Sequence, residues 1–151
     1  MKSKSLKKPK DCSRCTREGE EFRCFRKRFI LDVDMARDFV ADGREKVELE
    51  PDDIRYSIDH CEINARHLHH VDPRFPGIVA HLYYPDDDGT IIHCHRLIDG
   101  HHRASVCLLR DEPFYVYVLS EHESIQCLIR FPKGASPDEL SEYLAEVTSI
   151  A

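Results

Sequence analysis

The chain has 151 residues, long enough for one domain with a core of its own. Its 41% hydrophobic and 33% charged residues are the mix of an ordinary globular protein, and no apolar run approaches the length of a membrane span. The net charge of −6 is split, with eleven Lys or Arg against four Asp or Glu in residues 1–28, and eleven against twenty-four in the remainder. An acidic body with a basic arm argues against a dedicated DNA-binding domain. Seven cysteines without an apolar segment behind the basic start point to thiols or metal ligands in a cytoplasmic protein, not to a secreted disulfide framework.

Residues 1–28 read as a basic, flexible arm and residues 29–151 as a single domain. The arm is read as a solvated tail in preference to a nucleic-acid contact. Within it Cys12 and Cys15 have the two-residue spacing of a zinc knuckle, and Cys24 offers a third thiol. A closed site needs a fourth ligand from the body, so Zn²⁺ at Cys12, Cys15 and Cys24 stands against three unligated thiols in a mobile arm.

The domain opens with an extended stretch over 29–33. Asp34 is placed to cap a helix over 35–41, with Met35, Phe39 and Val40 on its apolar side and Asp42-Gly43 at its end. A strand over 47–49 follows, and Pro51-Asp52-Asp53 reads as a turn. Residues 63–69 read as a short helix. Strands over 78–84 and 91–98 form a hairpin around Pro85-Asp86-Asp87-Asp88-Gly89. Then come a glycine break, a helix over 103–110 and a strand over 114–119. Ser120 and Glu123 have the spacing of a capping box, and Ser136-Pro137-Asp138-Glu139 repeats a helix-start signature. The whole predicts a compact α+β domain, a small mixed sheet with short helices.

The chemistry concentrates where the second hairpin strand ends. Asp99-Gly100-His101-His102-Arg103 joins a strand to a helix through a tight glycine turn. At a helix start the first backbone N–H groups have no internal partner and the dipole is positive, which suits an anion. Gly100 lets an oxyanion approach the backbone, while His102 and Arg103 add donors. Asp99 is placed to orient Mg²⁺ or a substrate hydroxyl, and His101 to exchange a proton near neutral pH. Upstream, His93 and His95 share one face of the strand, since side chains alternate. With Asp99 or His101 nearby they could hold Fe²⁺, Mn²⁺ or Zn²⁺, and otherwise they line a solvated sheet face. Glu48, Glu50 and Asp53 are the acidic candidates for a base. His67 and His70 share a face if their segment is helical.

Asp99-Gly100-His101-His102-Arg103, with the short helix and the strand after it, resembles the ParB/sulfiredoxin superfamily over about residues 46–128. In sulfiredoxins the turn reads Gly-Cys-His-Arg and binds an ATP phosphate. In ParB N-terminal domains it reads Gly-Glu-Arg-Arg and contributes to nucleotide binding. Free serine kinases of the same fold also resemble this chain at the turn. Gly100, His102 and Arg103 match the sulfiredoxin pattern, and His101 stands in place of its nucleophilic cysteine, which excludes sulfinic acid repair. The resemblance implies a ParB/sulfiredoxin-like fold that binds ATP or another nucleotide with Mg²⁺, or a phosphorylated small molecule, at Gly100, His101, His102 and Arg103. As an enzyme it would be a phosphotransferase or nucleotide hydrolase. The alternative it implies is a non-catalytic, ligand-gated regulatory or DNA-associated domain.

Overall fold

The computed structural model describes residues 20–24, 29–61, 74–85 and 91–130. Cys12 and Cys15, the helix expected over 63–69, the aspartates of the hairpin loop and the helix expected after Ser136 lie outside the described residues.

Among the described residues the strands form two sheets, and the α+β expectation holds. The first is three-stranded and antiparallel, in the order β1-β2-β7: β1 (Glu21–Cys24), β2 (Phe29–Asp32) and β7 (Leu128–Arg130). The second is mixed and four-stranded, in the order β3-β6-β4-β5: β3 (Val47–Leu49), β6 (Phe114–Val118), β4 (Gly77–Pro85) and β5 (Ile91–Asp99). β4 runs antiparallel to β5 and parallel to β6. Thus part of the expected arm is a strand: Glu21 to Cys24 pair with Asp32 to Phe29.

α1 (Val33–Val40) begins two residues before its expected start. Asp32, still extended at φ −81°, accepts from Met35 N at 3.0 Å and so takes the capping role expected of Asp34. Asp34 sits instead in the first turn, where an acid faces the positive end of the dipole. The buried face is Val33, Ala36 and Val40, while Met35 is exposed. Pro51-Asp52-Asp53 also differs from its reading as a turn. Pro51 opens α2 (Pro51–Asp59), with Asp52 and Asp53 in its first turn, and the helix buries Ile54 and Ser57. α3 (His101–Leu109) starts two residues earlier than expected. α4 (Glu121–Cys127) has the capping box expected of Ser120 and Glu123.

Alternation along β4 and β5 gives the mixed sheet two apolar faces. Val79, Leu97 and Val116 pack with Ile54 of α2 and with Ala104 and Cys107 of α3. Ile78, Ala80, Leu82 and Ile98 pack with Phe29, Leu31, Ala36 and Val40. Burying residues on both sides of one hairpin fixes its register, because a one-residue slip would turn every side chain to the wrong face. Arg44 closes the loop after α1 with a bidentate pair of 2.7 Å bonds to Glu123. It donates as well to the carbonyls of Val118 and Phe39, both at 3.0 Å. The Arg44 guanidinium beside Glu123 holds that carboxyl down to about 2.

The strand-to-helix turn is tight. Gly100 caps α3 from a left-handed conformation, φ +99°, and a Cβ there would lie 3.0 Å from Gly77 Cα and 3.2 Å from Phe114 Cζ. A Cβ on Gly77 would meet the carbonyl oxygen of Asp99 at 2.6 Å and Phe114 Cζ at 2.9 Å. Backbone cannot give way cheaply, so Gly77→Ala should lower stability by roughly 1–3 kcal/mol. Urea unfolding checks this: the midpoint should fall with the slope unchanged. A variant as stable as the parent would show that the turn is loose.

Candidate functional site

The turn expected to bind a ligand is built around the carboxylate of Asp99. It ends β5 with a side chain 12% exposed. Arg37 reaches it from α1 with two hydrogen bonds, Nε to Oδ2 at 3.1 Å and Nη2 to Oδ1 at 3.0 Å. Arg103, from the first turn of α3, lies 3.3 Å from Oδ2. Arg37 also donates to Glu20 at 2.6 Å and to Asp34 at 3.3 Å. Burial alone would raise the Asp99 carboxyl, but the Arg103 and Arg37 guanidiniums outweigh it and hold it below the usual range. Both oxygens are occupied, so Asp99 anchors two arginines where the sequence suggested a ligand for Mg²⁺ or a substrate hydroxyl.

His101 is the first residue of α3 and is 7% exposed. Its ring stacks on Phe22 of β1, with centroids 5.3 Å apart and planes 11° apart. Burial, reinforced by the Arg96 guanidinium, pushes the imidazole down to about 4. It therefore stays neutral at neutral pH. Its Nε2 has no hydrogen-bond partner among the described residues. His102 and Arg103 follow it in the first turn, both partly exposed. α3 has no side-chain cap and no acid in that turn, whereas α1, α2 and α4 each carry acids there.

No family model, curated protein or solved structure matches this chain.

A second cluster lies further back along the hairpin. The register pairs His81 with His95 and Tyr83 with His93. His81, His93 and His95 thus share one face, and their ligand atoms all lie within 4.8 Å of one another. His93 and His95 lie together as alternation predicts, but their third neighbour is His81 of β4, not Asp99 or His101. The hairpin expectation by itself sets no register, and it is the register that brings His81 opposite His95. Burial lowers both His81 and His93, and the adjacent imidazoles lower them further, so neutral rings are favoured. His93 and His95 also line a cavity of about 350 Å³, together with Glu48, Asp53, Tyr56 and Ser57. Of the acidic candidates, Glu48 and Asp53 thus border this cavity and not the glycine turn.

Cys24, offered as a third zinc ligand in the arm, is 5% exposed in the core beside Phe29 and Leu31. Burial pushes its thiol up to about 12, against the thiolate that metal binding needs. No disulfide joins the described cysteines.

The pH response of His101 has a defined sign. Its folded value lies below its unfolded value of about 6.5, so the unfolded chain binds the extra proton first. Stability is full above pH 6.5 and falls as the pH drops towards 4, by on the order of 3 kcal/mol. The contribution of Asp99 is lost only at lower pH, because its folded value is depressed. His101→Phe keeps the stack on Phe22 and removes the proton. Thermal unfolding of both proteins between pH 7 and pH 4 should show the parent losing stability relative to the variant. A constant difference across that range would rule out a neutral, buried His101.

Proposed function

We propose that the protein binds an anionic phosphate group, carried by ATP or another nucleotide with Mg²⁺ or by a phosphorylated small molecule, at the start of α3. One observation carries the reading: α3 begins at an αL glycine with neither cap nor acid in its first turn, and Arg103 stands beside that turn. The resemblance of Gly100, His102 and Arg103 to the ParB/sulfiredoxin turn supports the same ligand class.

The residues divide the work. The backbone N–H groups of the first turn donate to the phosphate. His102 adds a donor at its edge. Arg103 is the mobile cation. Arg37 already holds both oxygens of Asp99, so Arg103 can leave its 3.3 Å contact for a phosphate without stranding a buried carboxylate. Gly100 serves by permitting the turn and its close packing on Gly77. Asp99 holds the arginines, and His101 fills the space behind the turn as a neutral ring. With Asp99 and His101 so engaged, the reading favours binding without turnover, a ligand-responsive domain in place of a phosphotransferase.

Arg103→Ala should weaken binding by roughly 2–3 kcal/mol, the size of a lost charge-assisted bidentate contact, and leave the fold intact because Asp99 keeps Arg37. Titration calorimetry with ATP, ADP and inorganic phosphate measures the first, and circular dichroism the second. Equal affinity in parent and variant would remove the turn as the phosphate site.

A further inference from the structure

The hairpin carries a second constellation that the phosphate reading does not use. His81, His93 and His95 come from two adjacent strands whose register sets them side by side. His81 Nδ1 lies 2.9 Å from His93 Nε2. The ring centroids of His81 and His95 are 4.4 Å apart, and those of His93 and His95 are 4.9 Å apart. A tetrahedral zinc with N ligands at 2.0–2.1 Å needs neighbouring nitrogens about 3.3 Å apart. The three ligand atoms, none more than 4.8 Å from another, bracket that spacing, and ring rotation on the order of 1 Å closes the set.

We propose that His81, His93 and His95 form a binding site for a divalent transition-metal ion of the zinc class. The donor set selects the metal. Three imidazoles with no carboxylate suit Zn²⁺, Cu²⁺ or Ni²⁺ and do not suit Mg²⁺ or Ca²⁺, which take oxygen ligands. The backbone under the ligands is fixed. The hairpin ladder holds both strands, and His81 N donates to Ser124 Oγ of α4 at 3.0 Å. The Tyr83 ring stacks on His93 at 4.4 Å and 13°, and its hydroxyl donates to Glu121 at 2.7 Å. His93 and His95 are exposed, so an ion can enter from solvent. Three protein ligands leave a fourth position for water or a small ligand.

The test uses the full chain stripped with EDTA and freed of chelator. Titration with Co²⁺, followed by absorbance, reports stoichiometry and ligand type together. One equivalent should bind with the visible bands of a low-symmetry nitrogen site and without the intense near-ultraviolet charge transfer of a thiolate ligand. Zn²⁺ should displace it. His93→Ala and His95→Ala, at exposed positions that leave the fold unchanged, should each cost more than the roughly 10–100-fold lost with an outer partner. The double variant Cys12→Ser, Cys15→Ser and the variant Arg103→Ala should bind as the parent does. Binding well below one equivalent, binding that survives both histidine variants, or a thiolate band lost with Cys12 and Cys15 would each overturn the proposal.

Discussion

The described structure turns on one buried carboxylate. Asp99 ends β5 at the point where the chain must leave the sheet and start a helix, and a charge 12% exposed is costly unless it is paired. Arg37 meets it from α1 and Arg103 from α3. Arg37 extends the clasp to Glu20, just before β1. Asp99 and Arg37 together thus join the end of β5 and the start of α3 to α1 and to the residue before β1. The arrangement also explains why the turn needs glycines. Asp99 brings its backbone to Gly77, and with Gly100 against the same residue no side chain fits between them. The clasp commits both oxygens of Asp99 to arginine, Oδ1 to Arg37 and Oδ2 to Arg37 and Arg103.

The hairpin of β4 and β5 then sets where everything else lies. Its register faces Val79 and Leu97 towards the helices and Ile78, Ala80 and Ile98 towards the other sheet, so each strand is pinned from both sides. α4 completes the support where β6 ends. Leu119 N donates to Val79 O at 2.9 Å, and two residues on, Ser124 Oγ takes the N–H of His81. A buried serine that is capped by its own helix, through a bond to Ser120 O, thereby satisfies the strand edge where no further strand pairs with it. The three imidazoles stand on this braced segment.

Much of this was legible in the residues, and the failures have physical causes. The hairpin, β3, β6 and the capping box of α4 follow from period-two alternation and a local hydrogen-bond pattern. Pro51-Asp52-Asp53 suits a turn as well as a first helical turn; what decides is the apolar spacing that follows, and Ile54 and Ile58, four residues apart, pack into the same cluster. Residues 21–24 look like arm because they lie inside residues 1–28, where eleven basic residues face four acidic ones. Yet Phe22 and Cys24 alternate with Glu21 and Arg23, and alternation outweighs mean charge. The clasp on Asp99 was not legible at all, since Arg37 lies 62 residues away and nothing local marks it. His81 could have been found. Pairs in the hairpin, Pro85 with Ile91, Tyr83 with His93 and His81 with His95, are symmetric about position 88, so the loop alone predicts the third histidine.

The glycine turn and the histidine cluster sit on the same strand but do not form one centre. Four residues of β5 lie between His95 and Gly100, five steps or about 16 Å at 3.3 Å per residue. Leu97, buried against α2 and α3, stands on the histidine face between them. That distance exceeds the Debye length of about 8 Å at physiological salt, and no single phosphate spans it. A metal held by His81, His93 and His95 therefore does not polarise a phosphate at α3, and a phosphate at α3 does not complete the coordination of that metal. The two ends of β5 share rigidity, not ligands. The cavity bordered by His93, His95, Glu48 and Asp53 belongs with the imidazoles. Its lining holds the acidic Glu48 and Asp53 and the ring of Tyr56, whereas the glycine turn carries Arg37 and Arg103.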